Sequence, residues 1–296
     1  YGGAGMDYVS FALLVEEISR GSSSVRTTIS VQTSLSETTV MLFGTEEQKE
    51  EWLVPLAKGV KFGAWALTEP NAGSDAANLQ TTARKEGDEW VLNGQKRFIS
   101  NGSIADYVFV YAREPGTKRH EGISCFMVPK GTPGFTVTKV ETTTKLGLRA
   151  SPTADLAFED CRIPSDHLVG KRGNGWEQAM RTLNNGRLGI AAGAVGVARA
   201  ALEAATKYAQ ERKAFNRLIG ADQTSGTTTD HFTFFTDCMR SASRAFIRKN
   251  EGCTVLGTLL SNNGQDLRNN VASTLDNHKI PDAHIFTDYF MNWRSP

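Results

Sequence analysis

The period of the hydrophobic pattern changes twice along this chain, and each change limits what can fold on either side of it. Through residues 6–60 apolar side chains recur at helical spacing. Phe11, Leu14, Val15 and Ile18 form one stripe, with Glu16, Glu17 and Arg20 expected on the other side. Gly21 and the serines at 22–24 predict a stop, and a second helix is expected over about 27–43. Thr45 followed by Glu46, Glu47 and Gln48 reads as an N-cap with acids in the first turn.

From about 62 to 163 the pattern becomes that of short strands broken by turns. Strands are expected at 62–68, 79–85, 89–92, 96–100, 107–112, 123–128, 135–140 and 154–158. The steps Gly87-Asp88, Asn93-Gly94, Asn101-Gly102 and Pro133-Gly134 are expected turns between them. Many short strands at near-regular spacing suggest a small barrel or sandwich. From about 173 the helical period returns. Residues 188–215 predict a long alanine-rich helix with Val195, Ala198, Leu202, Ala205 and Ala209 on its packing stripe.

After Gln223 the texture shifts again, with seven of the fifteen asparagines and three of the five histidines in that last stretch. The expected class is α+β and multidomain. It has a helical part at 1–60, a middle β-barrel domain at 61–168, the start of a helical bundle at 169–223 and a divergent tail at 224–296.

Composition narrows the function classes. The 296 residues carry 33 Lys+Arg against 32 Asp+Glu, so no basic footprint for nucleic acid is expected. The longest uncharged apolar stretch, 188–198, falls short of the ~20 residues of a membrane span. Four scattered cysteines suggest a reduced, intracellular setting rather than a disulfide framework. The chain opens Tyr1-Gly2-Gly3-Ala4-Gly5 without an initiator methionine, which reads as the middle of a protein.

The chemistry concentrates in a few segments. In Trp65-Ala66-Leu67-Thr68-Glu69-Pro70-Asn71-Ala72-Gly73-Ser74-Asp75 a strand runs into a polar, glycine-containing turn. Such a turn is either a structural loop or a cradle for a polar ligand such as a pyrophosphate. Phe98-Ile99-Ser100-Asn101-Gly102 is a second strand end with a hydroxyl. Gly170–Gly175 lacks the strand and the GK[ST] ending of a phosphate loop. His278 and His284 are too isolated for a metal site.

These two segments occur in order with Lys145–Ser151, Phe158–Pro164 and Glu211–Phe215, and together they resemble the acyl-CoA dehydrogenase family, in its short-chain or short/branched-chain type. The resemblance runs from residue 1 to about Gln223. It implies a flavoprotein oxidoreductase, usually a homotetramer or dimer, of fatty acid or branched-chain amino acid degradation. Such enzymes bind FAD, oxidise an acyl-CoA thioester between its α and β carbons, and pass electrons to an electron-transfer flavoprotein. They work in the bacterial cytoplasm or the mitochondrial matrix.

By resemblance, Leu67 and Thr68 meet the flavin's pyrimidine end, Phe98 covers the ring, Ser100 points toward N5 and Ser74 lies near the pyrophosphate and CoA. Arg212 and Phe215, with Gln223, reach the adenosine diphosphate half of a neighbouring subunit's FAD. From the residues alone, Arg212 reads rather as a solvated cation near a helix C-terminus. Asn184 and Arg187 belong to a stretch that contacts the CoA arm, although many relatives carry Asp at the first position.

The family's catalytic glutamate has no counterpart. No C-terminal Tyr-Glu-Gly-Thr segment occurs, and the alternative position on the long helix is Gly186. Glu251-Gly252-Cys253-Thr254 is only a partial spelling. The expectations are therefore an acyl-CoA dehydrogenase, a catalytically incompetent remnant that keeps a flavin- and CoA-binding middle domain, or an acyl-CoA oxidase on the same scaffold.

Overall fold

The computed structural model describes residues 1–214 and 216–218. The chain divides into two compact units, Tyr1–Ala200 and Ala201–Pro296.

The first unit begins with helices. α1 (Tyr8–Gly21) starts at Asp7, whose carboxylate accepts from the Ser10 N–H at 2.7 Å. Ser22 closes α1 and caps α2 (Ser23–Ser30), so the serine run makes a corner. The expected helix over 27–43 is continuous but uneven. Val31–Glu37 widens into a π-helical stretch before α3 (Thr38–Phe43), and Thr38 Oγ1 donates five residues back to Thr33 O. Thr45 and Gln48 form a complete capping box at the start of α4 (Glu46–Gln48). A second π-helical stretch, Lys49–Leu53, leads into α5 (Val54–Ala57).

Eight strands follow: β1 (Gly63–Ala66), β2 (Thr82–Glu86), β3 (Glu89–Ser100), β4 (Tyr107–Arg113), β5 (Ile123–Pro129), β6 (Phe135–Glu141), β7 (Thr153–Pro164) and β8 (Leu168–Val169). They form one sheet in the order β6-β7-β3-β2-β4-β5-β8, with β1 added in parallel to β4. Alternate residues serve two cores. Ala64, Ala66, Val108, Val110, Phe126 and Phe158 face one, while Trp65, Leu67, Phe109, Tyr111, Cys125 and Met127 face the other with Trp52, Leu56 and Ala179 of the helices.

Trp90 of β3 meets Phe126 of β5 at 5.0 Å, although two strands separate them in the sheet. The sheet therefore curls around its first core. The expected barrel is not closed by hydrogen bonds, because the strand order ends at β6 and β8.

Asn93-Gly94 is not a turn. β3 runs unbroken from Glu89 to Ser100, and the pairing with β7 shifts register between Leu92 and Gly94. Gly94 has φ +148°, and an added Cβ would lie 2.6 Å from the Thr81 Cα. The glycine marks a bulge that the neighbouring chain crosses closely.

Glu16, expected on the solvent side of α1, is buried and pairs with Arg199 at 3.3 Å. The reason is α6 (Gly175–Glu211), which lies against that face: Ser19 Oγ donates to Gly193 O at 2.8 Å. α6 has the length and apolar content of a membrane span. Within the first unit it spends part of that content on packing, where Ala179 is fully buried and Gly189, Gly193, Gly196 and Ala198 face inward. Of the second unit, the described part is the end of α6 and a short hairpin, β9 (Lys213–Ala214) with β10 (Arg217–Leu218).

The Pro133-Gly134 turn is real, and Gly134 is required there. Its φ is +83°, and an added Cβ would stand 2.3 Å from Glu159 O. Gly134→Ala is expected to destabilise the sheet by about 2 kcal/mol, read as a lower urea midpoint. An unchanged midpoint would contradict this packing.

Candidate functional site

The site is built on a buried ion pair. Lys96 of β3 is fully buried, and its Nζ donates to Glu69 Oε1 at 2.7 Å and to Leu67 O at 3.1 Å. Glu69 also accepts from the backbone N–H groups of Gln80 and Thr81. One carboxylate thus fastens both ends of the 69–81 loop to the third strand. Burial pulls the Lys96 ammonium down to about 8, against the opposing pull of Glu69. Burial works against ionisation of Glu69 as well, but Lys96 and the two N–H donors outweigh it and hold the carboxyl below its ordinary range.

Next to the pair, the Arg97 N–H donates to Thr68 O at 2.8 Å. Leu67 and Thr68 are therefore locked beside Lys96 and Arg97, and Phe98 follows immediately. The β3–β7 register slips between Lys96 and Ile99, which makes a bulge at Arg97 and Phe98. Phe98 takes φ +59°, an uncommon conformation for a large residue, and the residue is 58% exposed. Asp155 accepts from the Phe98 N–H at 3.2 Å and pairs with Arg97 at 3.8 Å. The Arg97 guanidinium sits 4.8 Å from the Phe98 ring centroid. A strained backbone that turns an aromatic face outward at a strand end is a feature that packing alone does not call for.

Ser100 closes β3, opposite Thr153, and is half-buried like Thr68. Buried Asn101 donates to Thr28 O and Gly63 O, both at 3.3 Å, tying this corner to α2 and β1. Ser74 lies exposed on the 69–81 loop. The first part of α6 joins the core that holds Trp65 and Leu67. Trp65 Nε1 donates to Thr39 Oγ1 at 3.2 Å, and Thr39 Oγ1 lies 3.5 Å from Thr182 Oγ1. Asn184 and Arg187 come just after, and Arg187 Nη1 donates to Asn184 Oδ1. Gly186 faces Leu35 and Ser34.

Of the expected residues, the structure brings Leu67, Thr68 and Phe98 together at one strand end, with Ser100 two residues further along β3. Arg212 is exposed at the end of α6 in the second unit, with its N–H bonded to Tyr208 O at 2.8 Å. Phe215 and Gln223 lie outside the described residues, as do Glu251, His278 and His284. Sequence reasoning missed Lys96 and Glu69. Their signal was a lysine in the middle of an apolar strand pattern and an acid directly after Thr68.

An exposed aromatic face flanked by half-buried hydroxyls fits a planar polar cofactor. Family comparison agrees with that geometry. Residues 1–60 match the acyl-CoA dehydrogenase N-terminal domain, 64–161 the middle domain and 173–249 the C-terminal domain. The boundary expected near Gln223 falls inside the third match. The chain belongs to the acyl-CoA dehydrogenase family.

It is 49% identical over 213 residues to the mitochondrial short-chain specific acyl-CoA dehydrogenase of Rattus norvegicus, covering 72% of this chain and 51% of that protein. It is 49% identical over 219 residues to the short-chain specific acyl-CoA dehydrogenase of Clostridium acetobutylicum, covering 74% and 57%. The chain therefore spans about half the length of the curated relatives it matches.

Among solved structures, butyryl-CoA dehydrogenase from Megasphaera elsdenii matches with TM-score 0.75 and 34% identity, over 96% of this chain and 78% of that one. Glutaryl-CoA dehydrogenase from Mycobacterium smegmatis in complex with FADH2 matches with TM-score 0.74 and 34% identity, over 91% and 69%. A structure described as an electron transferring flavoprotein of Acidaminococcus fermentans matches with TM-score 0.77 and 40% identity, over 94% and 72%.

Removing one partner of the buried pair is expected to cost about 3–5 kcal/mol, as in Lys96→Met, and replacing both partners with apolar residues is expected to cost less. Because the Glu69 carboxyl is lowered in the folded chain, its contribution is full above the ordinary value of 4.5 and is lost as pH falls through the folded value. The stability gap between the unsubstituted chain and Glu69→Gln should therefore narrow on acidification. Urea titrations at neutral and acidic pH check this, and a constant gap would contradict the assignment.

Proposed function

We propose that the chain is part of an FAD-dependent dehydrogenase acting on short acyl-CoA thioesters, with an electron-transfer flavoprotein as its electron acceptor. The observation that carries the reading is Phe98: strained, exposed, and fixed beside Thr68 by the Lys96–Glu69 pair. Phe98 would cover one face of the flavin ring. The Leu67 and Thr68 backbone and the Thr68 hydroxyl would meet its polar edge, and Ser100 would donate to a ring nitrogen. Ser74 would lie toward the pyrophosphate and CoA. Arg212, Phe215 and Gln223 are proposed for the adenosine diphosphate half, where a planar guanidinium pairs with phosphate oxygens.

Bound FAD supplies a two-electron acceptor for a hydride leaving the β-carbon of a thioester. The chain's own residues bind, orient and exclude water. Asn184 and Arg187 are proposed to hold the thioester arm. The α-proton requires a carboxylate, and position 186, where α6 passes Ser34 and Leu35, offers only glycine. The base is therefore expected from outside the described residues. A homo-oligomer completes the proposal, as does a location in the mitochondrial matrix or the bacterial cytoplasm, following the curated relatives.

The test is anaerobic addition of butyryl-CoA to the FAD-reconstituted chain, followed by flavin absorbance. Bleaching is the expected result. A bound flavin that stays oxidised would contradict dehydrogenation by this chain and favour the remnant. Phe98→Ala is expected to weaken FAD binding roughly tenfold, from loss of about 1.4 kcal/mol of ring contact. Unchanged affinity would remove Phe98 from the site.

A further inference from the structure

The bulge that carries Phe98 has a second support, on β7. Across the β3–β7 ladder Lys96 faces Leu156 and Ile99 faces Ala154, so Arg97 and Phe98 of one strand stand against the single residue Asp155 of the other. On its other edge β7 meets β6, where Asp155 faces Lys139 and the register slips again, between Val137 and Lys139. The hydroxyl of Thr138, the residue left over in β6, donates to Asp155 O at 3.2 Å. Two irregularities of the sheet therefore meet at Asp155.

Its carboxylate serves the one that holds Phe98. Asp155 Oδ1 accepts from the Phe98 N–H at 3.2 Å, and Oδ2 lies 3.8 Å from Arg97 Nε. The second distance is too long for a hydrogen bond, so charge alone joins those two groups. The Arg97 guanidinium in turn stands 4.8 Å from the Phe98 ring centroid. One carboxylate thus grips the backbone of Phe98 directly and reaches its ring through Arg97. Glu141 also feels the charge of Arg97, but Lys139 and Thr144 engage it.

The two supports act on different atoms. Lys96 and Glu69 hold Leu67 O and the 69–81 loop, which fixes where the bulge begins. Asp155 acts on the residue at φ +59° itself. A phenylalanine persists at positive φ only where its surroundings over-determine that pose, and a carboxylate aimed at its N–H is such a determinant.

We propose that Asp155 is a positioning residue of the flavin site, which sets the outward pose of Phe98 by accepting its N–H and acts on the cofactor only through that ring. This rests on the reading of Phe98 as the flavin's cover and deepens it.

The experiment is titration of the full chain with FAD, followed by flavin fluorescence, in the unsubstituted protein and in Phe98→Ala, Asp155→Ala, Asp155→Asn and the Phe98→Ala/Asp155→Ala double variant. Asp155→Ala is expected to weaken FAD binding about fivefold, from loss of one hydrogen bond. Asp155→Asn keeps an acceptor oxygen and loses only a part-exposed ion pair, so its affinity should stay within about twofold of the unsubstituted chain. The double variant should bind FAD as Phe98→Ala does, because a residue that acts through the ring has nothing left to act on.

Losses that add in the double variant would overturn the proposal, since a residue that merely stiffens the sheet behaves in that way. Asp155→Asn as weak as Asp155→Ala would overturn it too, as would full affinity in Asp155→Ala beside a weakened Phe98→Ala. Amide hydrogen exchange of the unsubstituted chain needs no variant to fold. The Phe98 amide should exchange slowly although the residue is exposed, and exchange at the rate of a free amide would overturn the proposal. Equal FAD affinity in Phe98→Ala and the unsubstituted chain would overturn the reading of Phe98 and this inference with it.

Discussion

The Lys96–Glu69 pair is the contact on which the rest of the site depends. A lysine with no solvent exposure survives in a β-sheet only if its charge is met, and Glu69 meets it at 2.7 Å. The same carboxylate accepts two backbone N–H groups from the far end of its own loop, and the same ammonium reaches Leu67 O. Three pieces of chain that are distant in sequence are thus held at one point. The bulge at Arg97 and Phe98 sits directly beyond that point. Without such an anchor a phenylalanine at φ +59° would relax into the ordinary strand conformation.

The helices add a second layer of constraint. The glycines of α6 let α1 approach until backbone touches backbone, and bring α2 side chains into contact: a Cβ at Gly196 would stand 2.1 Å from Glu16 O. That closeness buries polar groups, and most find partners. Ser19 donates to Gly193 O, and Glu16 takes Arg199. Arg26 is met only in part, by Ser23 Oγ, and the Ser30 hydroxyl has no partner among the described residues. One surface of α6 thus packs on α1 and α2 along Gly189, Gly193 and Gly196.

Much of this was legible in sequence. The two changes of period marked the helical and β parts, and Thr45 announced its N-cap, which the structure completes with Gln48 as a capping box. The strand ends at Leu67–Thr68 and Phe98–Ser100 were singled out from residue types, and the structure joins them. What stayed hidden has physical reasons. Asn93-Gly94 has the spelling of a hairpin turn, but tertiary pairing with β7 carries the strand through and uses the glycine for close approach to Thr81. Glu16 lies on the polar side of α1 by local pattern, yet a long-range arginine makes its burial possible. Of the packing stripe of α6 expected on Val195, Ala198, Leu202, Ala205 and Ala209, Ala198 is buried, but the close contacts also fall on Gly189, Gly193 and Gly196, which hydrophobic periodicity does not register. Lys96 escaped notice because a strand pattern shows a charge as an interruption and gives no sign of its partner.

The most direct measurement is the electron density of this chain crystallised with FAD. The account predicts the isoalloxazine ring against Phe98, its polar edge at Thr68 and Ser100, and the Lys96–Glu69 pair intact beneath. A flavin bound elsewhere, or a Phe98 ring turned into the core with ordinary strand torsions, would contradict it.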